Sequence, residues 1–197
     1  MRAVYIILLP VLIFPVTLSG CRKNIDEVTD QTHDSVYVKK GNMIVSATFD
    51  SLRNSLLRAI GTKGFEGAIT FCDENAFVLT NTYADSVSIE RTALRYRNPK
   101  NKPDSLEQVI LENMTSELKP GAVPGTKITR DDRNGEIHYF KPIMMQAMCA
   151  NCHGKPNAQI NEKTLTRIRQ LYPQDRAVDF KEGDLRGVWH IIFSPRK

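Results

Sequence analysis

The chain has 197 residues, 41% of them hydrophobic and 25% charged, which is enough for one domain core and too little for a multidomain enzyme. Its 27 Lys and Arg against 22 Asp and Glu give a formal charge of +5. The basic residues are scattered, and even the densest run, Arg91 to Lys102, is broken by apolar residues and a proline, which argues against nucleic acid as a partner.

The N-terminus carries one positive charge at Arg2, then an almost uninterrupted apolar run from Ala3 to Leu18 with Pro10 and Pro15 inside it. That is short for a membrane span and fits a signal-peptide core. The run Leu18-Ser19-Gly20-Cys21 resembles the lipobox of bacterial lipoproteins, in which the cysteine is lipidated and becomes the first residue. Residues 1–20 are then a signal peptide and Cys21 a lipid anchor, with the protein held at the extracytoplasmic side of the cell envelope, periplasmic or outer-membrane. An uncleaved anchor, or cleavage elsewhere with Cys21 a bystander, is the competing reading. Arg22 to Lys40 is polar and reads as a flexible tether, so residues 21–42 are taken as anchor and tether and residues 43–197 as the folded domain.

Within the domain, Phe49, Leu52, Leu56, Leu57 and Ile60 recur at helical spacing until Gly61 and Gly64. A second helix places Phe65, Ile69, Cys72, Ala76 and Leu79 on one face, so Cys72 is expected to point at the core. Pro103 suits a helix first turn, and Leu106, Val109, Ile110, Met114 and Leu118 continue at a period of 3.6 until Pro120-Gly121. Lys127–Arg130 and Glu136–Phe140 flank Asn134-Gly135, a hairpin turn signal. A helix over 161–171 should follow. Leu185–Phe193 alternates as a strand, with Val188, His190 and Ile192 on one side and Trp189, Ile191 and Phe193 on the other. Helices followed by an antiparallel hairpin and a late strand predict one α+β domain.

Cys149-Ala150-Asn151-Cys152-His153 is the C-x-x-C-H pattern of c-type haem attachment. Two thiols add to the two haem vinyl groups, and the adjacent imidazole lies under the iron as proximal ligand. A zinc site would need further ligands, for which only Cys72, His138 and His190 are at hand. A thioredoxin-like pair would need a strand feeding a helix, whereas Gly154-Lys155-Pro156 follows at once; a structural disulfide is the remaining alternative. The second axial ligand is open between Cys72, a thiol with no evident disulfide partner, and His190 or a methionine; an inert buried cysteine is also common. Met144, Met145 and Met148 lie close to the attachment site in sequence, Met114 and Met43 have no special context, and His138 beside the turn reads as surface. Arg95, Arg97 and Arg186 suit haem propionates by guanidinium–carboxylate geometry.

The ordered set of residues also resembles a bacterial c-type haem family with a PAS-like fold, long catalogued as a domain of unknown function and also found as the extracytoplasmic part of signalling proteins. The likeness runs from about Gly64 to Phe193. It rests on Gly67-Ala68-Ile69-Thr70-Phe71-Cys72, the block Arg97-Asn98-Pro99-Lys100-Asn101-Lys102-Pro103-Asp104, Pro142-Ile143, Cys149 to Gly154, and Tyr172-Pro173, Asp175, Ala177, Gly183-Asp184 and Gly187. Leu106, where an aromatic residue is common, and Asp179, where glycine is usual, depart from it. The resemblance implies an antiparallel sheet with flanking helices around one covalent haem c, with Cys72 as axial thiolate opposite His153.

Two roles follow: a sensor whose haem reports redox state or a gas such as CO or NO to a signalling protein, or a periplasmic electron-transfer cytochrome serving a redox partner. Peroxidase activity has no added motif, so the chain is read as a haem protein and not an enzyme.

Overall fold

The computed structural model describes residues 25–80 and 87–195. Helix α1 (Ile25–Thr80) opens the chain and bends at Gly64, whose φ of 67° and ψ of −177° leave the helical region. Only glycine takes that φ without strain. The stretch expected to be a flexible tether is therefore helical from Ile25 on; Tyr37 lies 5.1 Å from the Phe193 ring and Asp34 pairs with Arg130 at 2.5 Å. The two helices expected to either side of Gly61 and Gly64 are the two arms of this one element.

Strands β1 (Val87–Thr92), β2 (Lys127–Asp131), β3 (Glu136–Met144) and β4 (Leu185–Phe193) form one antiparallel sheet in the order β1-β4-β3-β2. The expected hairpin joins β2 and β3, with Gly135 at φ 72° donating its N–H to the Asp131 carbonyl at 2.8 Å. Strand β1 had no counterpart in the sequence reading. Its alternation is carried by Val87 and Ile89 alone before Glu90 and Arg91 interrupt it.

Alternation in β3 and β4 divides the core. Ile137, Tyr139, Trp189, Ile191 and Phe193 face the first arm of α1 through Val45 and Ile44, while Phe140 and Val188 face α2 (Ser105–Ser116) through Ile110, Leu111 and Met114. Helix α2 starts one residue after Asp104, so Pro103 precedes the cap. Asp104 Oδ1 accepts the Glu107 N–H at 2.7 Å and Glu107 Oε2 accepts the Asp104 N–H at 2.9 Å, a reciprocal cap for two otherwise orphaned donors. Helix α4 (Glu162–Leu171), capped by Asn161, packs Leu165 and Ile168 on Ile69 of the second arm. The result is an α+β domain with helices on both faces of the sheet.

Gly41 is where α1 comes closest to the sheet: a Cβ there would stand 2.7 Å from ring atoms of fully buried Tyr139. Gly41→Leu should lower stability by about 1–3 kcal/mol through overpacking, read as a drop in the thermal midpoint; an unchanged midpoint would show that α1 does not lie on Tyr139.

Candidate haem-binding cavity

The second arm of α1, the adjoining ends of β1, β3 and β4, and the segment leading through α3 (Ala150–His153) enclose a cavity of about 300 Å³. Four residues singled out from the sequence line it together: Cys72 from the arm beyond Gly64, and Cys149, Cys152 and His153 from the single turn that starts α3. All three cysteines carry free thiols. Cys21 lies outside the described residues.

The turn that carries Cys149, Cys152 and His153 is held from behind. Arg97 donates to the carbonyls of Cys152 at 2.6 Å and Ala177 at 3.1 Å and pairs with Asp175 at 3.1 Å, both side chains being about nine-tenths buried. Asp175 Oδ1 in turn accepts the Ala177 N–H at 2.8 Å. Residues 177–180 run back along the motif, Asp179 N–H donating to the Gly154 carbonyl and Phe180 N–H to that of His153, each at 2.9 Å.

This arrangement fixes His153. Its Nδ1 lies 2.8 Å from the Ala177 carbonyl, which can only accept, so Nδ1 carries the proton and Nε2 keeps its lone pair. Burial, followed by the nearby Arg186 and Arg97 guanidiniums, holds the imidazole well below its ordinary pKa. A neutral ring with one nitrogen anchored and the other free is what an imidazole needs to bind a metal. Burial raises the Cys72 thiol pKa, against a lowering pull from Arg91 and Arg97, and pushes Cys152 up to about 11.

The alternative axial ligands separate clearly. His190 is buried on the α2 face of the sheet, with Nδ1 2.8 Å from Glu107 Oε1 and Nε2 2.9 Å from His138 Nδ1. Both ring nitrogens are engaged, away from the cavity. His138, expected at the surface, is buried against it because β3 and β4 bring the two rings together, and burial followed by His190 lowers its pKa. Glu90, Glu107 and His190 present ligand atoms within 4.8 Å of one another, but Glu107 and His190 already satisfy each other. Met114 is fully buried beside Phe140 and Met43 is 64% exposed, whereas Met144, Met145 and Met148 line the cavity.

Sequence reasoning missed Arg91. It lines the cavity from β1 and packs over the Trp189 ring, 5.5 Å from its centroid, a position visible only once β1 is recognised as a strand. Arg95, expected to meet a propionate, is instead bound to the Arg176 and Val178 carbonyls and lies 4.1 Å over the Phe180 ring.

Comparison with known proteins agrees with this architecture. Residues 24–194 match the model of the Tll0287-like family. The chain belongs to that family. The crystal structure of the cyanobacterial heme-protein Tll0287 has a TM-score of 0.59 to this Tll0287-like chain at 22% identity, covering 82% of this chain and 96% of that one. At that identity the likeness establishes a common fold. No curated protein matches.

Proposed function

We propose that this protein is an exported, lipid-anchored c-type haem protein whose domain is PAS-like and senses redox state or a small gas through iron held between His153 and Cys72. The observation that carries the reading is the convergence of Cys72, Cys149, Cys152 and His153 on one cavity, with the His153 Nε2 lone pair free. The donor set fits the group: two thiols in the C-x-x-C spacing, the adjacent neutral imidazole and a third thiol from another element. The heme-protein with the same fold adds support. Haem, when bound, supplies one-electron redox chemistry and an iron able to take a diatomic ligand. The protein's own part is to orient His153 through Ala177, to grip the attachment turn through Arg97, and to present Cys72 from a separate helical arm.

Protein produced with a c-type maturation system should keep its haem stain through denaturing electrophoresis, because thioethers survive detergent; loss of the stain from wild-type protein would end the covalent reading. Lipid incorporation and membrane fractionation should depend on Cys21. A Cys21→Ser protein that still takes up labelled lipid would contradict the anchor. An absorption and EPR spectrum in both oxidation states separates the two roles: ferrous protein that refuses CO and NO, yet exchanges electrons rapidly with a small redox protein, makes this an electron-transfer cytochrome.

A further inference from the structure

The cavity wall holds four arginines, Arg53, Arg91, Arg97 and Arg186, and no aspartate or glutamate. Two of the four are accounted for: Arg53 is exposed, and Arg97 is paired with Asp175. Among the described residues Arg186 donates only to the Arg95 carbonyl at 3.1 Å and stands 5.3 Å over the Phe180 ring; its Nε is buried without an acceptor, and burial with Arg97 beside it, against a raising pull from Asp175, lowers its pKa to about 10. Arg91 has the Trp189 ring beneath it and, among the described residues, no hydrogen bond or carboxylate partner. Burial lowers its pKa as well. Thr92, also on the wall, has a buried hydroxyl with no partner. Both guanidiniums are half-buried on the cavity wall, where a cation without a bonded carboxylate is met by a ligand that supplies the missing charge.

The rest of the wall is mostly apolar, with residues such as Leu52, Leu56, Phe65, Ile69 and Ile143 beside the polar Asn98, Asn101 and Gln146. A ligand that matches it is largely apolar and carries two negative charges at one edge. We propose that Arg91 and Arg186 are the binding site for the two haem propionates, one guanidinium to each carboxylate. This rests on the haem reading above and names the residues that complete it. Guanidinium is suited to the task because its planar fork meets a carboxylate with two parallel N–H bonds. The cation over Trp189 is held in place before the ligand arrives, which reduces the ordering cost of that contact. Arg95 lies off the cavity wall and is bound to two carbonyls, and Arg97 has its charge met by Asp175, although its Nε, like that of Arg186, is buried without an acceptor.

The test uses haem-loaded protein and two readouts that a purely structural role would not move together: the propionate-bending bands in resonance Raman spectra, and the pH dependence of the reduction potential. In wild-type protein both carboxylates stay ionised, so between pH 5 and 8 they add nothing to the slope that protonation of the released Cys72 thiolate gives the potential. Arg91→Gln and Arg186→Gln should each shift a propionate band. Each should also make the potential fall more steeply with rising pH than in wild type, by up to one further proton per electron, because a carboxylate freed of its guanidinium takes up a proton more readily when the iron is reduced. Arg91→Lys and Arg186→Lys should restore the wild-type slope while leaving the band shifted, since charge returns but the two-pronged bond does not; they also serve if a glutamine variant folds poorly. Wild-type haem retention with unchanged bands and a wild-type pH slope of the potential in the glutamine variants overturns this assignment alone. A wild-type protein that retains no haem overturns the haem reading and the assignment with it.

Discussion

Cys72→Ala is expected to raise the reduction potential of the haem-loaded protein by on the order of 100 mV or more, since the choice of axial ligand moves haem potentials over roughly 0.8 V. The direction follows from charge: a thiolate offsets ferric iron better than ferrous iron, so its loss favours the reduced state. The same variant should open the ferric iron to added imidazole, whereas wild-type ferric protein stays six-coordinate and low-spin. In wild-type protein, reduction weakens the thiolate's hold, and a thiol displaced into this buried setting is readily protonated. Ferrous protein should therefore bind CO or NO on the Cys72 side. A Cys72→Ala protein with an unchanged potential and spectrum would move the assignment to Met144 or Met148, which share the cavity, and not to His190, whose ring is held by Glu107 and His138.

Arg97→Ala should be the most damaging single change outside the ligands. It removes three bonds at once, leaves Asp175 as an unpaired buried charge, and frees the Cys152 and Ala177 carbonyls that hold the attachment turn. Breaking one side of a buried ion pair costs about 3–5 kcal/mol, so a large fall in the denaturation midpoint is expected, with reduced haem incorporation because His153 loses the fixed Ala177 carbonyl that orients it. Arg97→Lys keeps the charge without the fork and should recover part of the stability but not all of it. A midpoint within about 0.5 kcal/mol of wild type, the range of a neutral surface change, would show that Arg97 does not brace the turn.

The features legible in the sequence are those written in adjacent residues. Asn134-Gly135 marks the hairpin, the alternation of Val188 to Phe193 marks β4, Asn161 marks the start of α4, and Cys149 to His153 marks the attachment turn. Features that depend on distant pairing were hidden. β1 is a strand because β4 offers it a register, Glu90 opposite His190 and Thr92 opposite Val188, and its own residues alternate too briefly to announce that. For the same reason Arg91 could not be placed on the cavity wall, nor His138 beside His190. The stretch before Lys40 resembled a tether because it holds few large apolar residues; Tyr37 is one of them, and it packs on the core. Gly61 and Gly64 both looked like helix ends; only Gly64 departs from helical dihedrals, and α1 continues beyond it.

That bend gives α1 the mechanics of a lever with one pivot. The arm before Gly64 is seated on the sheet through Ile44, Val45 and Leu52, while the arm after it carries Cys72 and leans on α4 through Ile69. The 39 residues from Ile25 to Lys63 span roughly 58 Å at the helical rise of about 1.5 Å per residue. A swing of the short arm about that glycine would move Cys72 while the long arm stays seated on the sheet. The pivot lets the thiol move independently of the seated arm, and a residue with a side chain at position 64 would oppose that backbone conformation by roughly 1–3 kcal/mol.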